Sequence, residues 1–449
     1  AGSFTDPGQA DTHTLRWDFG DGTSAVGTLT PTHAYADSGV YTVTLIVTDD
    51  DGGTTADSLV ITALGGALGV EAGPDQATEE GTAVAVAGTV TGASSAESLT
   101  YTWDFGDGTT AETLAASHDY VDNGIYTATL TVTNGRGGRA ADSLVVTVTN
   151  VAPTVELTGP ASGVRGQARS FAGSVTDPGV LDTHLVAWNF GDGTAMAFQP
   201  ATGQDALSPT HVYAATGTYT VTLTVQDDDG GVDTAQRAIV VKAVDLQPSP
   251  CDPSQTALVV GGTEGDDKIH VSLQGSPHGG CHGKSHGRPA EIEVKVNKTS
   301  YGPFAPTGGI LVFAQGGDDE VQVTGNITLS TFIDGGTGDD RLNAGTGPAV
   351  LLGGPGDDML LGGAGRSILV GGQGADRLVG QAGDDILIAA RTAYDTDLSA
   401  WCVILHEWAR TDASYGQRVA HLTIGGGLNG DRVLTGTAPD DRAHDRLTG

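Results

Sequence analysis

Cysteine is nearly absent from the 449 residues: Cys251, Cys281 and Cys402 are all there is, too few for a disulfide-built scaffold. One bridge is still open to the chain, and Cys251 with Cys281 is the pair considered. Aromatic residues amount to 5% and methionine to two positions, which argues against large helical cores. Basic residues are also scarce. With 21 Lys and Arg against 55 Asp and Glu, the formal charge of −34 repels both a phosphate backbone and anionic headgroups. Nucleic acid is therefore excluded as a partner. No apolar run approaches the roughly 20 residues of a spanning helix, and no secretory leader is visible.

What the chain does have is glycine, 69 of them, with Thr, Val and Ala in alternation. That is the composition of short strands joined by turns. Apolar residues at 38%, placed with period two, argue for folded β structure rather than disorder. So acidic a surface repels itself, and bound cations are one way to screen it. The length suggests three or four domains.

Self-comparison finds a long period. "WDFGDGT" at 17, "WDFGDGT" at 103 and "WNFGDGT" at 188 are each followed by an H-x-Y, namely His33 and Tyr35, His118 and Tyr120, His211 and Tyr213. A strand comes next in every copy: "GVYTVTLIV", "GIYTATLTV" and "GTYTVTLTV". Asp-Gly supplies a positive-φ hairpin, the Trp points inward, and copies of about 85 residues fit an immunoglobulin-like β-sandwich. Histidines repeating at equivalent sites fit turn packing better than three identical active sites. These motifs resemble the polycystic kidney disease (PKD) domain family. The resemblance implies extracellular seven-stranded sandwiches that space other domains and contact surface proteins or polysaccharides, without catalysis. The expected modules are 1–64, 68–149 and 152–243. Ala1 aligns with Ala87 and Ala172, so the sequence is expected to begin inside a module.

A short period follows. "GGPGDDMLL" at 353 has relatives at 335, 344, 362, 371 and 380, nine residues apart. Position eight is always Leu: Leu342, Leu351, Leu360, Leu369, Leu378 and Leu387. One inward side chain per unit, with glycines where a Cβ would obstruct a turn, describes a parallel solenoid with two units per coil. Equivalent turns in adjacent coils then lie about 4.8 Å apart. Position six splits into a column of Asp340, Asp358 and Asp376 and a second of Ala349, Ser367 and Asp385. Stacked carboxylates at that spacing call for Ca²⁺ between them and the turn carbonyls. The units resemble the hemolysin-type (RTX) calcium-binding repeat. That resemblance implies calcium on Asp340, Asp358 and Asp376 with the turns of Gly336, Gly338, Gly354, Gly356, Gly372 and Gly374. Two ions are expected on this flank, and the other, where Asp385 alone remains, is weaker.

Upstream, "GTEGDDKIHV" and "AQGGDDEVQV" carry the same signature, which makes Asp267 and Asp319 further, weaker calcium candidates in irregular first coils. The roll is expected over 251–390. Downstream, Leu398, Trp401, Leu405 and Trp408 fall on one helical face, expected to cap an open coil end within 391–449. "DRLTG" at the end repeats the D-x-L-x-G frame, as if a further unit began. Modules one and three share two acidic loops that module two lacks: Asp6 and Asp11 with Asp50, and Asp177 and Asp182 with Asp228. Joint presence suggests that the loops meet, either as solvated hairpins or around another Ca²⁺.

Other constellations carry less. "HGGCHGKSHG" gathers His278, Cys281, His282 and His286 in a glycine-rich excursion, which reads as an unspecific metal scavenger rather than a zinc site. "HEWAR" lacks the second histidine of a zinc protease motif, and no nucleophile elbow occurs. The expectation is a mostly β, non-catalytic, calcium-binding modular protein of the bacterial cell surface or secreted space, acting in adhesion or matrix association. The alternative is an accessory or secretion region of a secreted protease, chitinase or lipase. Nothing in the sequence sets an oligomeric state.

Overall fold

A computed structural model describes residues 1–8, 10–63, 67–93, 98–135, 138–274, 291–434 and 444–448, and the backbone alone at 204–205. The "HGGCHGKSHG" tract lies outside the described residues. The chain divides into two compact units, one of Ala1–Pro153 with Thr176–Thr183 and Asp227–Gly231, the other of Thr154–Val175, His184–Gln226 and Val232–Gly449.

In the first unit, the period-two strands form as the alternation requires. In the second module a five-stranded sheet contains Leu99–Asp104, Gly124–Asn134 and Arg139–Thr149, and Ala83–Ala87 pairs with Ala115–Asp119. Their inward residues, among them Trp103, Leu130, Val132, Leu144, Val84 and Val86, make one core. In the first module a four-stranded sheet carries Trp17, Val43, Leu45 and Val47 inward. There Leu59 and Ile61, at the positions of Leu144 and Val146, are 48% and 38% exposed.

Each "FGDGT" hairpin is closed by its histidine. In the second module Gly106 and Gly108 take φ of 83° and 92°, Asp107 Oδ1 accepts from the N–H and hydroxyl of Thr109, and Asp107 Oδ2 meets His118 Nε2 at 2.6 Å. The His118 ring stacks on Phe105 at 4.1 Å, and Tyr120 donates its hydroxyl to the Phe105 carbonyl. The same set recurs at Asp21, Thr23 and His33 and at Asp192, Thr194 and His211. The histidines thus tie a turn to the core. His118→Ala removes a charge-assisted bond and a stacked ring, and should destabilise that module by about 1–3 kcal/mol, seen as a lower melting temperature for its transition. Differential scanning calorimetry of the full chain, with the other transitions unmoved, checks this.

In the second unit the solenoid is built from two sheets. One runs through Thr256–Gly261, Gly309–Phe313, Thr331–Asp334, Ala349–Pro355, Ser367–Gln373 and Ile386–Ala390, each parallel to the next. The other runs through Lys268–Leu273, Glu320–Val323, Arg341–Asn343, Met359–Leu361, Arg377–Val379 and Arg446–Thr448. Leu351 lies beside Leu369 and Leu342 beside Leu360, so eighteen residues make one coil. Leu342, Leu351, Leu360, Leu369 and Leu378 are fully buried between the sheets.

Two features differ from the sequence reading. The amphipathic helix Leu398–Ala409 lies along the outer face of the first of these sheets, where Trp401, Ile404 and Trp408 pack with Val259, Phe332, Val350, Leu352, Ile368 and Val370. It covers a face rather than a coil end, because this sheet is apolar on both sides. Cys251 is bonded to Cys402, not to Cys281. Docking the helix on that face brings Cys402 to the segment before the first coil, across 151 residues that local spacing could not relate.

Candidate metal centre

Each turn on one flank of the roll is held by glycines in conformations that other residues avoid. Gly336, Gly338, Gly354, Gly356, Gly372 and Gly374 all have φ between 99° and 148°. A Cβ on Gly354 would collide with the carbonyl of Gly336, and one on Gly356 with that of Gly338. Successive turns therefore nest backbone on backbone, and their carbonyls line up coil after coil.

Against these carbonyls runs a continuous ladder of aspartates. The N–H of Asp319 donates to Asp340 Oδ1 at 2.9 Å, that of Asp340 to Asp358 at 2.8 Å, and that of Asp358 to Asp376 at 2.9 Å. Asp267 precedes the series at 2.7 Å and Asp445 follows it at 2.8 Å. Asp319, Asp340, Asp358 and Asp376 are at most 2% exposed. One carboxylate oxygen of each is thus used. Oδ2 of Asp319, Asp340 and Asp358 is buried without a hydrogen-bond partner.

Burial pushes the carboxyl of Asp340 up to about 7 in spite of the N–H it accepts, and the neighbouring Asp319 and Asp318 push the same way. For the same reason Asp319 rises to about 7, and Asp358, between Asp340 and Asp376, to about 8. A buried stack of carboxylates must gain either protons or cations. Asp267 stands apart, since Thr263 donates to its Oδ2 and Asn297 to its Oδ1. Protein donors already satisfy it.

The structure brings Asp340, Asp358, Asp376 and Asp319 into one column, as the sequence placed the first three. Asp445 was not named as a member, although its D-x-L-x-G frame was visible. The first aspartate of each G-D-D was missed as well. Asp266, Asp318, Asp339 and Asp357 form a parallel outer ladder, in which the N–H of Asp357 donates to Asp339 and that of Asp339 to Asp318. The inner ladder accepts from the preceding coil and the outer from the following one. The adjacent carboxylates staple every interface from both sides.

The opposite flank is built differently. Ala349 and Ser367 are buried there, the N–H of Ser367 donates to Asp385, and burial raises the Asp385 carboxyl. Next to it, Asp384 is paired with Arg418 at 2.6 Å and Arg366 at 3.3 Å. Guanidinium groups supply positive charge on this flank.

In the first unit the acidic loops do meet. The N–H of Thr12 donates to Asp50, and that of Thr183 to Asp228. Asp6 is engaged by Gly8 and by His13 at 2.7 Å. Asp11 lies beside Gly8. Asp177 accepts from Gly179. Asp182 has a buried Oδ2 with no hydrogen-bond partner, and burial together with Glu80, Asp177, Asp228 and Asp122 pushes it up to about 6.

The PKD-domain family model matches residues 1–63, 69–149 and 150–241, more than half of the chain. The chain belongs to the PKD-domain family. The RTX calcium-binding nonapeptide repeat model matches 334–369 and 352–387, over the glycine turns and the ladder, so the chain combines PKD domains with calcium-binding repeats. Among curated relatives, human Polycystin-1 is 29% identical over 197 residues, 39% of this chain and 4% of its own length. The microbial collagenase of Vibrio alginolyticus is 47% identical over 108 residues, 23% of this chain and 12% of its own. Collagenase ColA of Bacillus cereus is 40% identical over 90 residues, 20% and 8% respectively. The chain spans between 4% and 12% of the length of these relatives. Of solved structures, the PKD1 domain of Vibrio cholerae metalloprotease PrtV is 30% identical, covers 20% of this chain and 99% of its own, and has a TM-score of 0.16. The modules matched in this PKD protein, PKD domains and RTX repeats, are non-catalytic.

Proposed function

We propose that this PKD protein works outside the cell as a modular stalk whose roll is set by calcium, in cell-surface adhesion or matrix association. The observation that carries the reading is the buried ladder with its unpartnered outer oxygens at Asp319, Asp340 and Asp358. They fit a hard cation: the donors are all oxygen, and the turn carbonyls stand in register. Ca²⁺ would be held between successive turns of Asp319, Asp340, Asp358 and Asp376, with carbonyls of the Gly336, Gly338, Gly354, Gly356, Gly372 and Gly374 turns. Bound there, it supplies the charge that lets the coils stack with their carboxylates ionised. Asp385 and the satisfied Asp267 are outside the proposed set.

Asp358→Asn tests the register. The amide keeps an acceptor for the Asp340 N–H and removes the charge shared by two interfaces. Equilibrium dialysis of the full chain should show two fewer calcium ions bound, with the circular dichroism in EDTA unchanged. Unchanged calcium uptake would show that the column does not bind the ions.

A second reading has its own support in the similarity to collagenases of Vibrio alginolyticus and Bacillus cereus. The PKD modules would then serve as the accessory region of a secreted hydrolase. Retention of the full chain on immobilised collagen, compared with a panel of polysaccharides and surface proteins, separates the two. Collagen alone favours the accessory role.

A further inference from the structure

Calcium in the roll leaves a second concentration of acid unexplained, within the first compact unit. Glu80, Asp122 and Asp182 each bring a carboxylate oxygen within 4.8 Å of the others. Asp182 also belongs to two neighbouring groups, with Asp177 and Asp227 and with Asp228 and Asp229. Acidic loops on a surface are common. This one differs because Glu80 is 1% exposed, and while its Oε1 accepts from the N–H of Val151 at 2.7 Å, its Oε2 is buried with no hydrogen-bond partner. Oδ2 of Asp182 is in the same condition. Among the described residues, Glu80, Asp122 and Asp182 have no ion pair with a basic side chain. Carboxylates that converge away from water without a counter-charge are unstable unless something positive joins them.

The repeat itself shows what is missing. Glu80 precedes Gly81, whose N–H donates to the carbonyl of Tyr120 at 2.8 Å. In the third module the same bond, at 2.9 Å, runs from Gly166 to the carbonyl of Tyr213, and the residue before it is Arg165. A Cβ on Gly81 would meet Pro178, and one on Gly166 would meet Gln315 and Phe313, so each module presents this turn closely to the segment that follows. Arg165 donates Nε to the carbonyl of Gly261 at 2.9 Å: a cation facing a carbonyl. At the equivalent place Glu80 faces Asp182, an anion facing anions.

We propose that Glu80, Asp122 and Asp182 form a calcium site that ties the second PKD module to the acidic loop at 176–183. The ion stands where Arg165 puts its guanidinium one module later. The donors are three carboxylates from separate segments, with no nitrogen or sulfur among them, which selects a hard cation of flexible geometry. Module two lacks the acidic loops, so no such site follows the first module.

The test uses the full chain with CaCl₂ as the probe and Glu80→Gln as the variant. Equilibrium dialysis should show one fewer calcium bound than in the parent. Calcium should also slow proteinase K cleavage in the linker at 150–153 in the parent and in Asp358→Asn, but not in Glu80→Gln. Glutamine keeps the acceptor for Val151 and removes an unpaired charge, so in EDTA the variant should melt no lower than the parent. Asp182→Asn, on a surface loop, must behave the same way and replaces it if Glu80→Gln does not fold. Calcium uptake and linker protection like the parent's in either folded variant would overturn the site. Loss of the roll's ions in Asp358→Asn alone is a separate result and leaves this one standing.

Discussion

Stripped of calcium at pH 8, the roll should melt at least 10 °C lower than in millimolar calcium, and this gap should close as the pH falls toward 5. The ladder requires it. In the calcium-free fold, burial holds Asp319 and Asp340 at about 7 and Asp358 at about 8, whereas in the unfolded chain a carboxyl titrates near 4. The folded chain then binds more protons than the unfolded one between these limits. Its stability is full below about pH 4 and is lost as the pH rises through 7 and 8. Calcium binds the ionised form, so it is useless in acid and effective in alkali. At a hundredfold excess over Kd each site contributes about 2.7 kcal/mol, so even the two sites that share Asp358, at about 3 °C per kcal/mol, give roughly 15 °C. Thermal melts by circular dichroism at pH 5 and pH 8, with EDTA or calcium, measure all four corners. A calcium-free roll that gains stability with rising pH would contradict the burial of these carboxylates.

Much of this architecture is legible in the sequence, and physical reasons set what is and what is not. A leucine every ninth residue can only mean a side chain that faces the same core twice per coil, and Leu351 beside Leu369 is its realisation. The W-x-F-G-D-G-T and H-x-Y motifs share a hydrogen-bonded turn, so their order along the chain carried their contact. The frame around Asp445 was legible, but its place in the column was not, because 69 residues separate it from Asp376 and break the period. Glu80 and Asp122 left no signal, since their partners come from another module and single acids are unremarkable in so acidic a chain. The outer face of the roll was legible in principle: Val350 and Leu352, like Ile368 and Val370, flank each leucine with period two. The sequence reading gave those residues no role, and it set the helix at a coil end because unpaired strand edges there need covering.

Reducing the Cys251–Cys402 bond, or replacing Cys402 by Ser, should be the most damaging change outside the ladder. The bond closes a span of 151 residues and joins the helix Leu398–Ala409 to the segment before the first coil. In the chain-entropy account a loop of that size is worth about 5 kcal/mol, and the loss of a native bridge usually costs about 2–5 kcal/mol. That range is comparable to the proposed calcium term, yet its site is different. Trp401 and Trp408, 1% exposed, pack on the outer sheet face, while the leucine column lies inside. Reduction should therefore shift tryptophan emission to the red and lower the melting temperature of the roll, with calcium uptake by the ladder retained. Cys281→Ser should change nothing, and non-reducing peptide mapping should recover Cys251 joined to Cys402. Recovery of Cys251 with Cys281 would mean that the helix is not held on the sheet as described. Bonds of this kind persist chiefly in oxidising compartments, so the pairing agrees with the proposed extracellular location.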